Sequence, residues 1–94
     1  MDAQLPITLT DGFNAALGLV VTAVDIEAGE VCGTVEVGPQ HLQPAGLVHG
    51  GVLASIAETL ASMGTWVGVR ESGSTAQGLS NHTSFLRPLL GGTI

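Results

Sequence analysis

The sequence predicts an α+β domain in which one long helix lies against antiparallel strands. Two observations carry that prediction. From Gly50 to about Trp66 apolar residues recur at helical spacing, and no other stretch holds that period for so long. On either side of it, short runs rich in Val, Thr and Leu alternate and are separated by Gly, Pro or acidic turns, as half-buried strands are. At 94 residues there is chain enough for one hydrophobic core, so residues 1–94 read as a single domain.

Taken in order, Met1 to Thr10 carries no clear period. Asp11 to Gly18 reads as a short helical turn, capped by Asp11 and stopped at Gly18. Leu19 to Ile26 and Val31 to Val37 read as two strands, and Glu27-Ala28-Gly29-Glu30 as the turn that joins them into a hairpin. Gly38 to Gly46 holds two prolines and two glycines, which predicts an irregular loop with a turn at Pro44-Ala45. In the long helix Val52, Leu53, Ile56, Leu60, Met63 and Val67 form one apolar stripe. Val69 to Gly78 suits an exposed connection, Leu79 to Leu86 alternates as a third strand ended by Pro88, and Gly91 to Ile94 reads as a turn entering a fourth.

Eight acidic residues stand against two bases, Arg70 and Arg87, for a net charge of −6 with histidines neutral. That balance argues against nucleic acid as a partner, because a protein that binds phosphate backbones needs clustered cations. It also sets a net field against any polyanionic ligand. The lone Cys32, in an alternating apolar run, is expected to be a buried structural thiol, which fits a reducing cytoplasm. Neither a signal peptide nor a membrane span is expected, since no apolar stretch of such length lacks polar interruption.

The chemistry concentrates where the loop from Gln43 runs into the long helix. At 100° per residue Gly51, Ser55, Glu58 and Ser62 share one stripe, turned away from Ile56. One carboxylate among small residues suggests a closely packed neighbour, a ligand or a second subunit, and a partly desolvated Glu58. A solvated helix glutamate is the competing reading. The glycine pair Gly50-Gly51 opens the helix, where unpaired backbone N–H groups face the preceding loop and suit an oxyanion; a helix start that needs glycine for packing alone is the competing reading. Gln43, held extended by Pro44, offers a further amide donor, and His49 is either a loop-orienting residue or a direct participant. His41 and His82 carry weaker signals, and no spacing brings two histidines together, so no metal and no cofactor are expected.

Together, Gln43-Pro-Ala-Gly-Leu-Val-His49-Gly50-Gly51 and Glu58-Thr-Leu-Ala-Ser62 resemble the active-site signature of hotdog-fold acyl-CoA thioesterases of the 4-hydroxybenzoyl-CoA type. Gly78-Leu-Ser-Asn-His82-Thr-Ser84-Phe-Leu-Arg-Pro88 is similar to that family's third strand, and the likeness runs from about Phe13 onward. The resemblance implies a hotdog fold, a long central helix wrapped by an antiparallel sheet. It also implies a homodimer, and a dimer of dimers, in which each site draws on two subunits. Gln43, His49 and the Gly50 amide of one subunit would polarise the thioester carbonyl. Glu58 of the other would attack it or activate water, assisted by Ser62. Gly51, His82 and Ser84 are expected at the substrate. A glutamate at position 58 favours this branch over the phenylacetyl-CoA branch, which carries aspartate there. The substrate implied is an aromatic or medium-chain acyl-CoA, and a non-catalytic acyl-binding or dimerisation module is the alternative. Two further strands of the family, which insert between the second and third, are expected to be missing from this chain.

Overall fold

A computed structural model describes residues 7–94 of the chain; residues 1–6, part of the opening in which the sequence shows no period, lie outside the described residues. Its elements are β1 (Ile7–Thr8), α1 (Gly12–Leu17), β2 (Val20–Asp25), β3 (Glu30–Thr34) and α2 (Gly50–Val69), with single 3-10 turns at Pro39–His41 and Arg70–Ser72. The strands form one antiparallel sheet in the order β1-β2-β3.

The expected hairpin forms, and its turn is built as the residues require. Asp25 Oδ1 accepts the Ala28 N–H at 3.0 Å, and Gly29 takes the left-handed backbone (φ 68°) that closes the turn at least steric cost. Val21 pairs with Gly33 but Ala23 with Cys32, so Thr22 is an extra, bulged residue in β2. α1 ends at Gly18 as expected, with φ 73° and its N–H on the Asn14 and Ala15 carbonyls. Asp11 does occupy the cap position, but its side chain makes no capping hydrogen bond.

α2 packs across β3. Two glycines, one from each element, permit the approach. A Cβ on Gly33 would lie 2.9 Å from the Val20 carbonyl oxygen and 3.1 Å from Leu60, and one on Gly64 would lie 3.1 Å from Val31. The core gathers where helix and sheet meet: Leu17, Leu19, Val35 and Ile56 are buried together, with Leu9, Val52, Leu60 and Ile94 packed against them. Of the predicted stripe, Ile56 and Val67 are fully buried, while Leu53 and Met63 are half-buried and line grooves. By length and composition alone, Gly50–Ser72 would also suffice to cross a bilayer, although the sequence leads to no such expectation. Here its apolar face lies on the sheet.

Three expectations are corrected. Cys32 is exposed, because β3 has only one face covered by α2 and the alternation sends Cys32 to the other. The loop of residues 38–46 is more regular than its prolines and glycines suggest, as shown below. Leu79 to Leu86 forms no strand: among the described residues it has no ladder partner, and alternation cannot make a strand whose N–H and C=O groups lack a neighbour. Leu79 is 93% and Leu86 89% exposed. The segment instead runs beside α2, where Asn81 Nδ2 donates to the Ala54 carbonyl at 2.9 Å. The predicted start of a fourth strand does find a partner. Ile94 and Val35 exchange backbone hydrogen bonds of 2.9 and 3.0 Å, and Val37 N–H donates to the Gly92 carbonyl at 2.8 Å, just beyond β3.

Candidate active site

The loop before α2 is a small hairpin. Leu42 and Val48 form an antiparallel bridge, Gln43 N–H donates to the Leu47 carbonyl at 2.7 Å, and His49 N–H donates to the His41 carbonyl at 2.8 Å. Its tip is the turn expected at Pro44-Ala45: Gly46 N–H donates to the Gln43 carbonyl at 2.9 Å, with Gly46 at φ 86°. Gln43 Oε1 accepts the Ala45 N–H at 2.6 Å, which fixes the side-chain amide and leaves Nε2 as its donor end.

The hairpin delivers His49 to the N-cap of α2. Its backbone is extended (φ −63°, ψ 134°), and Nδ1 accepts the Gly51 N–H at 2.9 Å. With Nδ1 accepting, the neutral ring carries its proton on Nε2, a donor directed away from the helix end. The Gly50 N–H, in the first helical residue, has no carbonyl one turn back to receive it. Gln43, His49, Gly50 and Gly51 border one groove of about 510 Å³, whose remaining lining is largely apolar: Leu47, Leu53, Phe85 and Leu89 among others, with Arg87 beside them. Phe85 is seated on Gly50 so closely that a Cβ there would lie 2.7 Å from its ring.

Glu58 lies elsewhere, in a second groove with Ser55, Ser62, Thr59, Asn14 and Asn81. Ser62 Oγ donates to Glu58 Oε1 at 3.2 Å, the pairing that their spacing of one helical turn predicts. The carboxylate is exposed in the single chain, so the expected partial desolvation is not supplied by the chain's own fold. Gly78 does crowd it: a Cβ on Gly78 would lie 2.6 Å from Oε1.

The predicted residues thus fall into two groups. Gln43, His49, Gly50 and Gly51 meet at the amino end of α2, and Glu58 meets Ser62 two turns further along. Glu58 lies eight positions beyond Gly50 on the helix, which at the helical rise is about 12 Å. One carbonyl cannot touch both groups of one chain. His82 and Ser84 line neither groove, since both sit on the exposed segment that forms no strand. Asn81 and Phe85, which flank them, reach α2 instead. The sequence pattern does not single these two out, because an Asn or a Phe in an alternating run looks like any strand residue. Among the described residues no cluster of His, Cys, Asp or Glu is suited to hold a metal.

Residues 45–94 match the family model described as the thioesterase superfamily. The chain belongs to that superfamily. The matched span contains His49, Gly50, Glu58 and Ser62 and begins two residues after Gln43. A Mycobacterium tuberculosis protein named "Putative esterase Rv1847" is 32% identical over 95 residues, covering 99% of this chain and 66% of that protein. The proofreading thioesterase EntH of Klebsiella pneumoniae subsp. pneumoniae is 36% identical over 80 residues, covering 85% of this chain and 56% of that protein. The solved structure of the mycobacterial protein superposes with a TM-score of 0.79 at 32% identity, over 86% of this chain and 64% of that one. This thioesterase-superfamily chain therefore has the hotdog fold, and it spans just under two thirds of the length of its mycobacterial relative.

Proposed function

We propose that the protein is an acyl-CoA thioesterase that hydrolyses an aromatic or medium-chain acyl-CoA to the free acid and coenzyme A, working as a homodimer or a dimer of dimers in the cytoplasm. One observation carries the reading: three hydrogen-bond donors, Gln43 Nε2, His49 Nε2 and the Gly50 N–H, border a single apolar groove at a helix amino end. Such a groove suits an acyl chain, and such donors suit its carbonyl oxygen. The membership of the superfamily and the name of the Klebsiella relative support the same chemistry.

In this reading the thioester carbonyl oxygen receives the Gly50 N–H and the Gln43 amide, whose hydrogen bonds strengthen as the oxygen gains charge. Glu58 takes a proton from water, and the water oxygen bonds to the carbonyl carbon. Collapse of the tetrahedral intermediate breaks the carbon–sulfur bond, and the departing thiolate takes up the proton. Direct attack by the carboxylate, giving an anhydride that water then cleaves, uses the same residues. Ser62 holds one carboxylate oxygen and leaves the other free. Because about 12 Å separates Glu58 from Gly50 along the helix, the carboxylate comes from a second copy. The small residues Gly51, Ser55 and Ser62 let that copy approach. Gly51 borders the acyl groove, while His82 and Ser84 meet the substrate once their segment is paired in the dimer. Arg87, at the groove, is the base placed to meet an anionic portion of the substrate.

The test is hydrolysis of a panel of aryl and fatty acyl-CoAs by the full chain. Glu58→Gln should lower kcat by about 10²–10⁴-fold, the usual contribution of a positioned acid or base. An intact panel, or full activity in the variant, would refute the assignment. Tight acyl-CoA binding without turnover would instead favour a non-catalytic acyl-binding module.

A further inference from the structure

His41 is the most deeply buried polar residue of the described chain, 2% exposed, yet no step of the proposed chemistry uses it. Its surroundings are unusually complete. Nδ1 accepts the Gly38 N–H at 2.9 Å, and Nε2 donates to the carbonyl of Leu17, the last residue of α1, at 2.7 Å. That carbonyl, like others at a helix end, has no partner within its own helix. The backbone of His41 is engaged as well: its N–H donates to the Gly38 carbonyl at 3.0 Å, and its carbonyl accepts the His49 N–H at 2.8 Å. His49 in turn takes the Gly51 N–H on its ring. An unbroken series of hydrogen bonds therefore runs from the end of α1, through the His41 ring and backbone, to the N-cap of α2.

We propose that His41 is a positioning residue, whose buried imidazole fastens the base of the 41–49 hairpin to the end of α1 and thereby sets His49 and the first N–H groups of α2 at the acyl groove. Besides Val48, whose N–H donates to the Leu89 carbonyl at 2.8 Å, the hairpin has few other anchors. Its tip residues Pro44, Ala45 and Gly46 are exposed, and of its remaining residues only Val48 is buried. With the His41 joint loosened, the first leg of the hairpin is left to pivot about the second, which Val48 holds to Leu89. A donor at its far side, such as the Gln43 amide, then moves by more than the base does, and a shift of about 1 Å at a reacting carbonyl can cost 10²-fold in rate. A buried histidine with both nitrogens engaged is the right group for such a joint, since it meets one donor and one acceptor with a single rigid ring. Neither Asn nor Gln reproduces both contacts: the Asn oxygen can replace Nδ1, and the Gln nitrogen can replace Nε2, but each leaves the other backbone group unpaired.

The proposal rests on the reading of the α2 amino end as the acyl-binding side, so its test has one arm independent of catalysis. In the first arm, amide hydrogen exchange is followed by NMR in the full chain and in His41→Gln and His41→Asn. Exchange at the His49 and Gly51 amides should quicken by about tenfold, the worth of one lost buried hydrogen bond, while Ile56 and Leu60 in the body of α2 keep their rates. Unchanged exchange at His49 and Gly51, or a uniform rise along α2, would overturn the proposal. In the second arm, both substitutions should lower kcat about tenfold or more with little change in KM, and should cost clearly less once His49 is already Ala, because part of the effect runs through that ring. Equal losses with and without His49 would mean a merely structural residue, and would also overturn it. If one variant fails to fold, the other decides. If even the unaltered chain hydrolyses no thioester, the functional reading falls and the exchange arm alone settles the role of His41.

Discussion

The separation of Glu58 from the donor cluster leads to a quantitative prediction about mixed dimers. Two variants are needed, one defective in each half of the site. Glu58→Ala removes the carboxylate. Gln43→Glu keeps the oxygen that accepts the Ala45 N–H but replaces the amide donor with a second, negatively charged oxygen beside the thioester. Loss of one such donor is worth roughly 3–4 kcal/mol in the transition state, or 10²–10³-fold in kcat. Each variant alone should therefore be almost inactive. Glu58 lies eight positions beyond Gly50 on one rigid helix, a gap of about 12 Å, and under the proposed two-subunit site each carboxylate would serve the opposite subunit's donors. A dimer with one copy of each variant then holds one site with both defects and one with neither. Random pairing makes about half of all dimers mixed, with half of their sites intact, so co-expression should restore about a quarter of the unaltered activity. The assay is thioester hydrolysis on co-expressed, differently tagged chains, with mixed dimers verified by native mass spectrometry. If verified mixed dimers are no more active than their parents, Glu58 serves its own chain and the two-subunit site is wrong.

The packing also sets two contrasting pairs of stability predictions. Leu19→Ala, at a fully buried position, should lower the unfolding free energy by about 2–5 kcal/mol, whereas Leu79→Ala, 93% exposed, should stay within about 0.5 kcal/mol; urea midpoints would show both. Gly33→Ala would set a methyl 2.9 Å from the Val20 carbonyl and 3.1 Å from Leu60, and should cost about 1–3 kcal/mol. Gly68→Ala, with nothing within 4 Å in the same helix that packs on that strand, should instead gain about 0.5–1 kcal/mol by thermal denaturation.

What could be read in the chain followed from how local each signal was. The α2 helix, the β2–β3 hairpin, the Gly18 stop and the turn at Pro44 rest on neighbours within a few residues, and all form where they were expected. The Glu58–Ser62 pair is legible for the same reason, because helical spacing alone brings the two together. Leu79 to Leu86 failed because a strand is a relation between two segments, and alternation in one of them cannot supply the other. Cys32 failed because alternation tells which residues share a face but not whether that face is covered. His41 carries only a weak signal because its partners, the Leu17 carbonyl and the Gly38 amide, are marked by no pattern in the sequence.

Along the stretch of α2 that carries Gly51, Ala54, Ala57 and Ala61 the side chains are so small that the backbone is within reach. Ala54 is the clearest instance, since its carbonyl already serves the helix and is also met by the Asn81 amide. Ser55 and Thr65 turn their hydroxyls onto the Gly51 and Ala61 carbonyls along the same rod. A helix of this kind offers its neighbours a row of fixed oxygen acceptors rather than a set of mobile side chains. Contacts made to it are therefore indifferent to most conservative substitutions on the helix, and sensitive to any that adds bulk and roofs the carbonyls over.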